Sequence, residues 1–139
     1  LGLYYEINND FTNAIKYYDL AAVASNRYYD KVKIRNPKDE KVFVHLIGDL
    51  LLTDQYEAAA QVGLVAVRYY PDSGTLWEEL AVALIKLQRW DEALSAATKA
   101  KSFIPGDLTN SLYEGVLGKK DISKANLIRV LPEIMQNVK

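Results

Sequence analysis

The side chains of this chain that could catalyse a reaction or bind a metal are few. His45 is the only histidine, and there is no cysteine. Zinc sites and catalytic triads combine several such residues at set spacings, so neither signature is present. We therefore interpret His45 as a structural residue, either on a helix surface or packed inside the fold. We predict no catalytic residue, no metal ligand and no cofactor.

Two pairs of neighbouring carboxylates, Glu78-Glu79 and Asp91-Glu92, are candidates for acid–base chemistry. Neighbouring side chains on a helix point about 100° apart and do not converge on one substrate atom. We therefore expect both pairs to lie on solvated faces or at helix caps. The sequence also has no glycine-rich phosphate loop, and we predict that the chain is not an enzyme.

Ten tyrosines, with pairs at positions 4-5, 17-18, 28-29 and 69-70, could stack on nucleic-acid bases. However, 17 basic residues face 18 acidic ones, which leaves no basic excess to hold a phosphate backbone. The basic run over residues 31–41 contains Asp39 and Glu40 and is interpreted as a solvated helix end. We expect Tyr5 and Tyr18 to fill core positions, and no nucleic-acid partner.

The elements that must position these residues repeat along the chain. Pro37, Pro71 and Pro105 are evenly spaced, and equivalent apolar residues such as Leu46 and Leu80 keep the same spacing. Apolar side chains at steps of three and four predict helices over 41–52, 56–69, 77–87 and 91–103. The shared register predicts a buried set: Leu46, Leu50, Tyr56, Ala59, Trp77, Leu80, Leu84, Trp90, Ala93 and Ala97.

Local signals mark the ends of these helices. Thr75 and Glu78 predict a capping box at the start of helix 77–87. Pro105-Gly106 predicts the end of the following helix. The tail matches the earlier units at a spacing that is two positions shorter, with a turn at 118–121. This match predicts a shortened fourth unit that closes the stack.

The interval between Ala21 and Pro37 is eleven residues longer than its equivalents. Eleven residues are about three helical turns, so the insertion can lengthen a helix without rotating its faces. We predict a helix from Phe11 to near Arg35 that leaves Tyr28, Tyr29 and Val32 available for a neighbour. The alternative is an exposed loop over residues 26–36.

The repeated unit resembles the tetratricopeptide repeat, whose pattern is W-x2-L-G-x2-Y, then A-x3-F, then P. Residues that match it include Leu1, Gly2, Tyr5, Ala14, Tyr18, Trp77, Leu80, Ala81, Leu84, Ala93, Ala97 and Pro105, whereas Ile47 and Gly63 depart from it. The resemblance implies an all-α fold: a right-handed α-α superhelix of helical hairpins. It implies one domain over residues 1–139, with repeats at about 1–37, 38–71 and 72–105 and a degenerate capping unit at 106–139.

By this resemblance, the first helix of each hairpin lines a concave groove that binds peptides. The residues expected there are Lys41, Val44, Gly48, Leu51, Leu52, Glu78, Val82, Ile85 and Lys86. Relatives that clamp acidic chaperone tails place basic and amide side chains there. This mainly aliphatic face instead suits an amphipathic helix or an extended hydrophobic segment. The alternative is that helices upstream of Leu1, or another copy of the chain, cover the face.

Two functions stay open. The first is a protein-interaction scaffold that binds a protein or peptide; the second is an accessory or oligomerisation domain of a larger enzyme or membrane-anchored protein. No apolar run approaches the ~20 residues that span a bilayer, so this segment is not expected to insert into a membrane. The chain starts without methionine, which suggests a fragment or a processed product. Self-association and the compartment stay open, with the cytoplasm favoured.

Overall fold

The computed structural model of the protein describes residues 1–32 and 39–132. These residues form helices and turns and contain no strand, which confirms the all-α class. Across the same residues, no helix is both long enough and apolar enough to span a bilayer. The described residues form eight helices: α1 (Gly2–Ile7), α2 (Phe11–Val32), α3 (Glu40–Leu52), α4 (Tyr56–Tyr69), α5 (Gly74–Lys86), α6 (Trp90–Phe103), α7 (Asp107–Leu117) and α8 (Lys124–Ile128).

The spacing of the prolines reappears in the helix boundaries. The start of α5 follows the start of α3 by the same number of residues as the start of α6 follows that of α4, and the same holds for the helix ends. This number of residues also separates Pro71 from Pro105. The helices of the second and third units are therefore in register along their whole lengths.

The turns inside the hairpins also repeat. Within the described residues, four non-glycine residues have a positive φ, between 52° and 60°: Asn9, Asp54, Gln88 and Lys119. In each turn, the next amide donates to the carbonyl five residues earlier, which closes the helix C-terminus. The interval from Gln88 to Lys119 is three positions shorter than that from Asp54 to Gln88, whereas we predicted a tail shorter by two positions.

The helices pack on their neighbours in chain order from α1 to α7, and α5 also contacts α3 and α7. The odd-numbered helices α3, α5 and α7 therefore lie side by side. Small residues bring the layers close: Ala93, Ala96, Ala97 and Ala100 of α6 are buried, and a Cβ on Gly63 of α4 would lie 3.0 Å from the Leu80 side chain of α5. This close approach explains how α4 accepts glycine where the repeat pattern has an aromatic residue.

Seven of the ten residues predicted to be buried are buried, but Tyr56, Trp77 and Trp90 are only half-buried. Two of these rings keep a polar tip at the surface. Trp77 Nε1 donates to the carbonyl of Pro71 at 2.8 Å, and the Tyr56 hydroxyl donates to Asp54 at 2.8 Å. An amphipathic ring at the boundary of the core packs its apolar part inside and makes a hydrogen bond with its polar atom at the protein surface.

The predicted capping box at Thr75 and Glu78 is wrong. Helix α5 begins at Gly74, and its N-cap is Ser73, whose Oγ accepts from the amide of Leu76 at 3.3 Å. Since Glu78 lies beyond the first turn and is buried, its carboxylate does not reach back to cap the helix.

The predicted extension of the second helix is confirmed over residues 26–32, because α2 runs without a break to Val32. Residues 33–36 and the side chain of Val32 lie outside the described part of the chain. The Tyr29 ring packs edge-on against the ring of Tyr69 at 5.1 Å, and the Tyr69 hydroxyl donates to Asp30 at 3.1 Å. The neighbour that Tyr29 meets is therefore the end of α4, while Tyr28 is 54% exposed.

Candidate functional site

The residues predicted to line a groove, which we call the groove face, lie on α3 and α5, and most of them are buried within this chain. Lys41 is exposed, and Leu52 and Lys86 are half-buried. The remaining predicted residues are less than a tenth exposed: Val44, Gly48, Leu51, Glu78, Val82 and Ile85. That they contact a partner stays a prediction, but as the chain is folded here they offer little surface to one.

A later part of the same chain, residues 121–132, which we call the C-terminal segment, contacts the ends of the two helices that carry the groove face. The Lys124 ammonium donates to the carbonyl of Leu52 at 3.1 Å and to Asp54 at 3.3 Å, at the end of α3. Asp121 lies 3.5 Å from Lys86, at the end of α5. In addition, three buried residues of the segment belong to the same apolar cluster as the groove face: Leu127, Val130 and Leu131.

Most groove-face residues are buried by this chain itself, whereas our alternative placed upstream helices or a second copy over the face. Up to residue 132, where the described part of the chain ends, the chain crosses from α7 toward α3 and forms the five-residue α8, not the long second helix of a fourth hairpin. Ser123 caps α8 by accepting from the amide of Asn126 at 3.2 Å. The segment is a short helix with non-helical flanks beside the ends of α3 and α5.

The C-terminal segment does not fill the space beside it. A partly open cavity of about 170 Å³ separates it from α5 and α7. Ile85, Leu108 and Leu112 line one side, while Ile122 and Asn126 of the segment line the other. Because one water occupies ~30 Å³ of liquid, the gap has room for several waters or for a larger side chain.

Helices α1, α3 and α5 all contribute buried carboxyl groups. Glu6 is 3% exposed, and Asp49 and Glu79 are fully buried. Glu78, next to Glu79, is 6% exposed. The prediction that the Glu78-Glu79 pair lies on a solvated face is therefore wrong, because α5 is packed between α3 and α7 and has little free surface. The Asp91-Glu92 pair is exposed in the first turn of α6, as predicted.

Glu6 has partners. The Nδ1 atom of His45 lies 2.9 Å from both oxygens of the Glu6 carboxylate, and the His45 ring stacks on the ring of Tyr18 at 5.3 Å. Burial, followed by the hydrogen bond with Glu6, raises the pKa of the Tyr18 hydroxyl. The packed interpretation of His45 is confirmed, since the histidine joins α3 to α1. Tyr5 and Tyr18, which we expected in the core, are half-buried.

Asp49 and Glu79 differ from Glu6, because no oxygen of either carboxyl group has a hydrogen-bond partner within the described residues. Burial, with a smaller contribution from the Glu6 charge, raises the pKa of Asp49 to about 9. Burial also raises the pKa of Glu79 well above its usual value, with further contributions from Glu78, Asp49 and Glu6. Asp49 therefore holds a proton at neutral pH.

No protein-family model matches this chain, and no curated protein matches it significantly. Its function must therefore be inferred from the geometry of the groove face. Within residues 1–32 and 39–132, no three metal-ligating side chains are arranged to hold an ion.

Our sequence analysis missed Asp49 and the burial of Glu79, although a signal was there. Glu79 lies three residues from both Leu76 and Val82, in the middle of the apolar stripe of α5. Asp49 interrupts an otherwise apolar run between Ile47 and Leu52. An acidic residue in phase with apolar ones on a helix predicts a buried carboxyl group.

Proposed function

We propose that this chain is a tetratricopeptide-like repeat domain, a right-handed stack of helical hairpins, that acts as a protein-interaction scaffold. Its ligand is a short helical or extended segment of a protein, which binds the groove face of α3 and α5. The repeated helix bounds and the four equivalent turns support the hairpin stack.

One observation supports the binding function: a short segment of the same chain rests against the ends of the two helices that carry the groove face. The C-terminal segment places Lys124 on the carbonyl of Leu52 and Asp121 beside Lys86, and it buries Leu127, Val130 and Leu131 in the shared apolar cluster. An apolar stripe with a basic flank is how a helical segment docks into a groove. A face that accepts this segment from the same chain can accept a similar segment from another protein.

Binding can be tested with a labelled peptide of residues 119–132 added to the intact chain and to a Leu127→Ser variant, which loosens the native segment. We expect saturable binding, measured by fluorescence anisotropy, to the variant. Binding to the parent chain should be weaker, because a tethered competitor acts at a concentration of about millimolar. The matched control is the same peptide carrying Leu127→Ser. Absence of saturable binding to both chains would refute the proposed function.

A second function, an accessory or oligomerisation domain, has support at the other end of the stack. Helix α2 exposes Leu20 and Val23, and Leu1, Leu3 and Ile7 are exposed in and beside α1, each between 42% and 78%. Apolar side chains that gather on neighbouring helices are typical of a surface covered in the assembly. Sedimentation of the isolated chain tests this: a concentration-dependent dimer that Leu3→Lys abolishes would support it.

A further inference from the structure

We propose that the cavity between the C-terminal segment, α5 and α7 binds a carboxylate that is joined to a small apolar group, either a branched aliphatic chain or a single ring. Such a group can belong to a free acid or to the C-terminal residue of a peptide. Although Ile85 of the groove face lines one wall of the cavity, the inference does not depend on the function proposed above.

The cavity lies where α7 lacks a large side chain that its equivalents carry. In each hairpin turn, the amide after the residue with positive φ donates to one carbonyl of the preceding helix. The acceptor is Leu50 in α3 at 2.8 Å, Leu84 in α5 at 2.9 Å and Gly115 in α7 at 2.8 Å, so these three positions are equivalent. Leu50 and Leu84 are buried, whereas Gly115 has no side chain and lines the cavity.

The position one helical turn earlier shows the same difference. Leu46 and Leu80 are buried in α3 and α5, whereas α7 has the smaller Ser111 at the wall of the cavity. A Cβ added to Gly115 would meet no described atom within 4 Å, so the neighbouring elements have not moved in to fill the space. The fourth unit therefore leaves open the volume that two leucine side chains occupy in the earlier units.

Four aliphatic side chains line this cavity: Ile85, Leu108, Leu112 and Ile122. Ile85 and Leu112 are buried, and the other two are half-buried. The volume is about 170 Å³. Since an apolar cavity of roughly 150 Å³ can hold benzene, one ring or a short branched chain fits here. The lining thus favours a ligand with a compact apolar group.

The mouth of the cavity is positively charged. Lys120 and Arg129 line the cavity and are exposed. Asp121 also lines it, but its carboxylate lies 3.5 Å from the Lys86 ammonium, which offsets its charge. The ion pairs of the C-terminal segment within the described residues include neither Lys120 nor Arg129. A carboxylate at the mouth would form charge-assisted hydrogen bonds with these two cations.

Nearby acidic side chains favour a ligand with only one carboxylate. Asp107 and Glu114 line a shallow depression of α7 that adjoins the cavity at Ser111, Gly115 and Lys120. A second anionic group that extended along α7 would be repelled by these two charges. We therefore expect a monocarboxylate to bind better than a dicarboxylate with the same apolar group.

The test is a titration of the intact, isotope-labelled chain with 4-methylpentanoate, monitored through amide chemical shifts in NMR spectra. The matched probe is 4-methylpentanamide, which has the same apolar group without the charge. We expect saturable shifts at Leu108, Leu112 and Ile122, and a dissociation constant about fivefold lower for the acid than for the amide. This preference should disappear when Lys120→Gln and Arg129→Gln are combined.

A second variant places the ligand in the cavity. Gly115→Leu restores the side chain that the equivalent positions carry, and we expect it to weaken the binding of 4-methylpentanoate about tenfold. Asn110→Leu adds the same side chain at an exposed position of α7 outside the cavity lining and should leave binding unchanged. Ser111→Leu, which fills the other open position, replaces Gly115→Leu if the latter does not fold.

The two sources of the carboxylate are distinguished with acetyl-glycyl-glycyl-leucine, whose apolar side chain and free carboxylate belong to a peptide C-terminus. Tighter binding of this peptide than of 4-methylpentanoate would identify a peptide end as the ligand, and weaker binding would identify a free acid. The same peptide with a C-terminal amide is the control for its charge.

Absence of saturable shifts with both 4-methylpentanoate and the peptide acid would overturn the inference. Equal affinities of the acids and their amides would overturn it as well, because the two cations would then have no role. Binding that neither Gly115→Leu nor Ser111→Leu weakens would lie outside the cavity and would also contradict the inference. None of these outcomes bears on peptide binding to the groove face, which the anisotropy experiment tests separately.

Discussion

Asp49 and Glu78 make the stability of this protein depend on pH in a direction opposite to that of most carboxylates. A carboxylate that is paired in the folded state has a lowered pKa. It stabilises the fold at pH values above the pKa that the group has in the unfolded chain. Here burial raises the pKa of Asp49 from 3.8 to about 9 and that of Glu78 from 4.5 to about 7. The folded state therefore binds protons that the unfolded state releases. The stability that these groups contribute is fully present below pH ~4. It is lost as the pH rises toward the pKa values that the groups have in the folded state.

We predict that the free energy of unfolding falls between pH 6 and pH 8.5, by at most about 1.4 kcal/mol per pH unit for each such group. Urea denaturation at the two pH values measures this. The Asp49→Asn variant keeps the shape of the side chain but cannot ionise, so its stability should vary less across the same range. The Asp91→Asn variant, at an exposed carboxylate on α6, is the control. An equal pH dependence in the parent and the Asp49→Asn chains would contradict the burial of Asp49.

The burial of the groove face changes what a charged substitution there should do. On an open face, Leu51→Asp and Val82→Asp would abolish binding without unfolding the domain, and the sequence alone favours this outcome. Both side chains are fully buried, so an aspartate at either position would place an unpaired carboxyl group in the apolar cluster.

We predict that Val82→Asp destabilises the fold by more than about 3 kcal/mol. Thermal unfolding measures this, and Lys41→Asp, at an exposed position of the same face, is the matched control. A melting temperature unchanged by Val82→Asp would show that the face is open in solution.

The long helix α2 shows how one element gains support outside its own hairpin. Its last eight residues extend beyond the length of α4 and α6. An unsupported helix end frays, because its terminal carbonyls have no partners. Here Tyr29 and Asp30 meet Tyr69 at the end of α4, which ties the extension to the second hairpin.

We predict that amides of residues 26–31 are protected from hydrogen exchange, continuous with those of residues 14–24. Tyr29→Ala should remove the aromatic contact and speed exchange over residues 26–31 alone. Tyr28→Ala, at an exposed position of the same turn, should have little effect. Rapid exchange over residues 26–31 in the parent chain would rule out a stable extension.

For the molecule as a whole, the C-terminal segment joins the ends of α3 and α5 across the groove face. It stabilises the fold through apolar burial more than through its ion pairs. Leu127 is fully buried in the apolar cluster, whereas Lys124 and Asp121 form their ion pairs at the surface. Burying a leucine side chain stabilises by roughly 1.5–3 kcal/mol, and an exposed ion pair by about 0–1 kcal/mol.

We predict that Leu127→Ala destabilises the chain by about 2–3 kcal/mol, whereas Lys124→Ala changes its stability by less than about 1 kcal/mol. Chemical denaturation of the intact chain measures both, and raising the salt concentration should further reduce the effect of Lys124→Ala. A larger loss from Lys124→Ala than from Leu127→Ala would mean that charge, and not apolar contact, holds the segment.

The helices, their repeated register and most of the core could be predicted from the sequence. These follow from local rules: apolar spacing, proline and glycine stops, and the need of each hairpin to bury one face. The bounds of α4 match the prediction at both ends, and those of α3 differ by one residue at the start. Local patterns are sufficient there because the side chains that specify each helix lie within a few turns of it.

The occupant of the groove face, in contrast, follows from tertiary packing alone. The path of the C-terminal segment depends on contacts such as that between Lys124 and Leu52, 72 residues apart, for which the sequence carries no periodic signal. The burial of Asp49 and Glu79 likewise depends on how α3 and α5 stack on their neighbours. A helix pattern specifies which residues share a face, but the neighbour that covers this face is selected by packing across the whole chain.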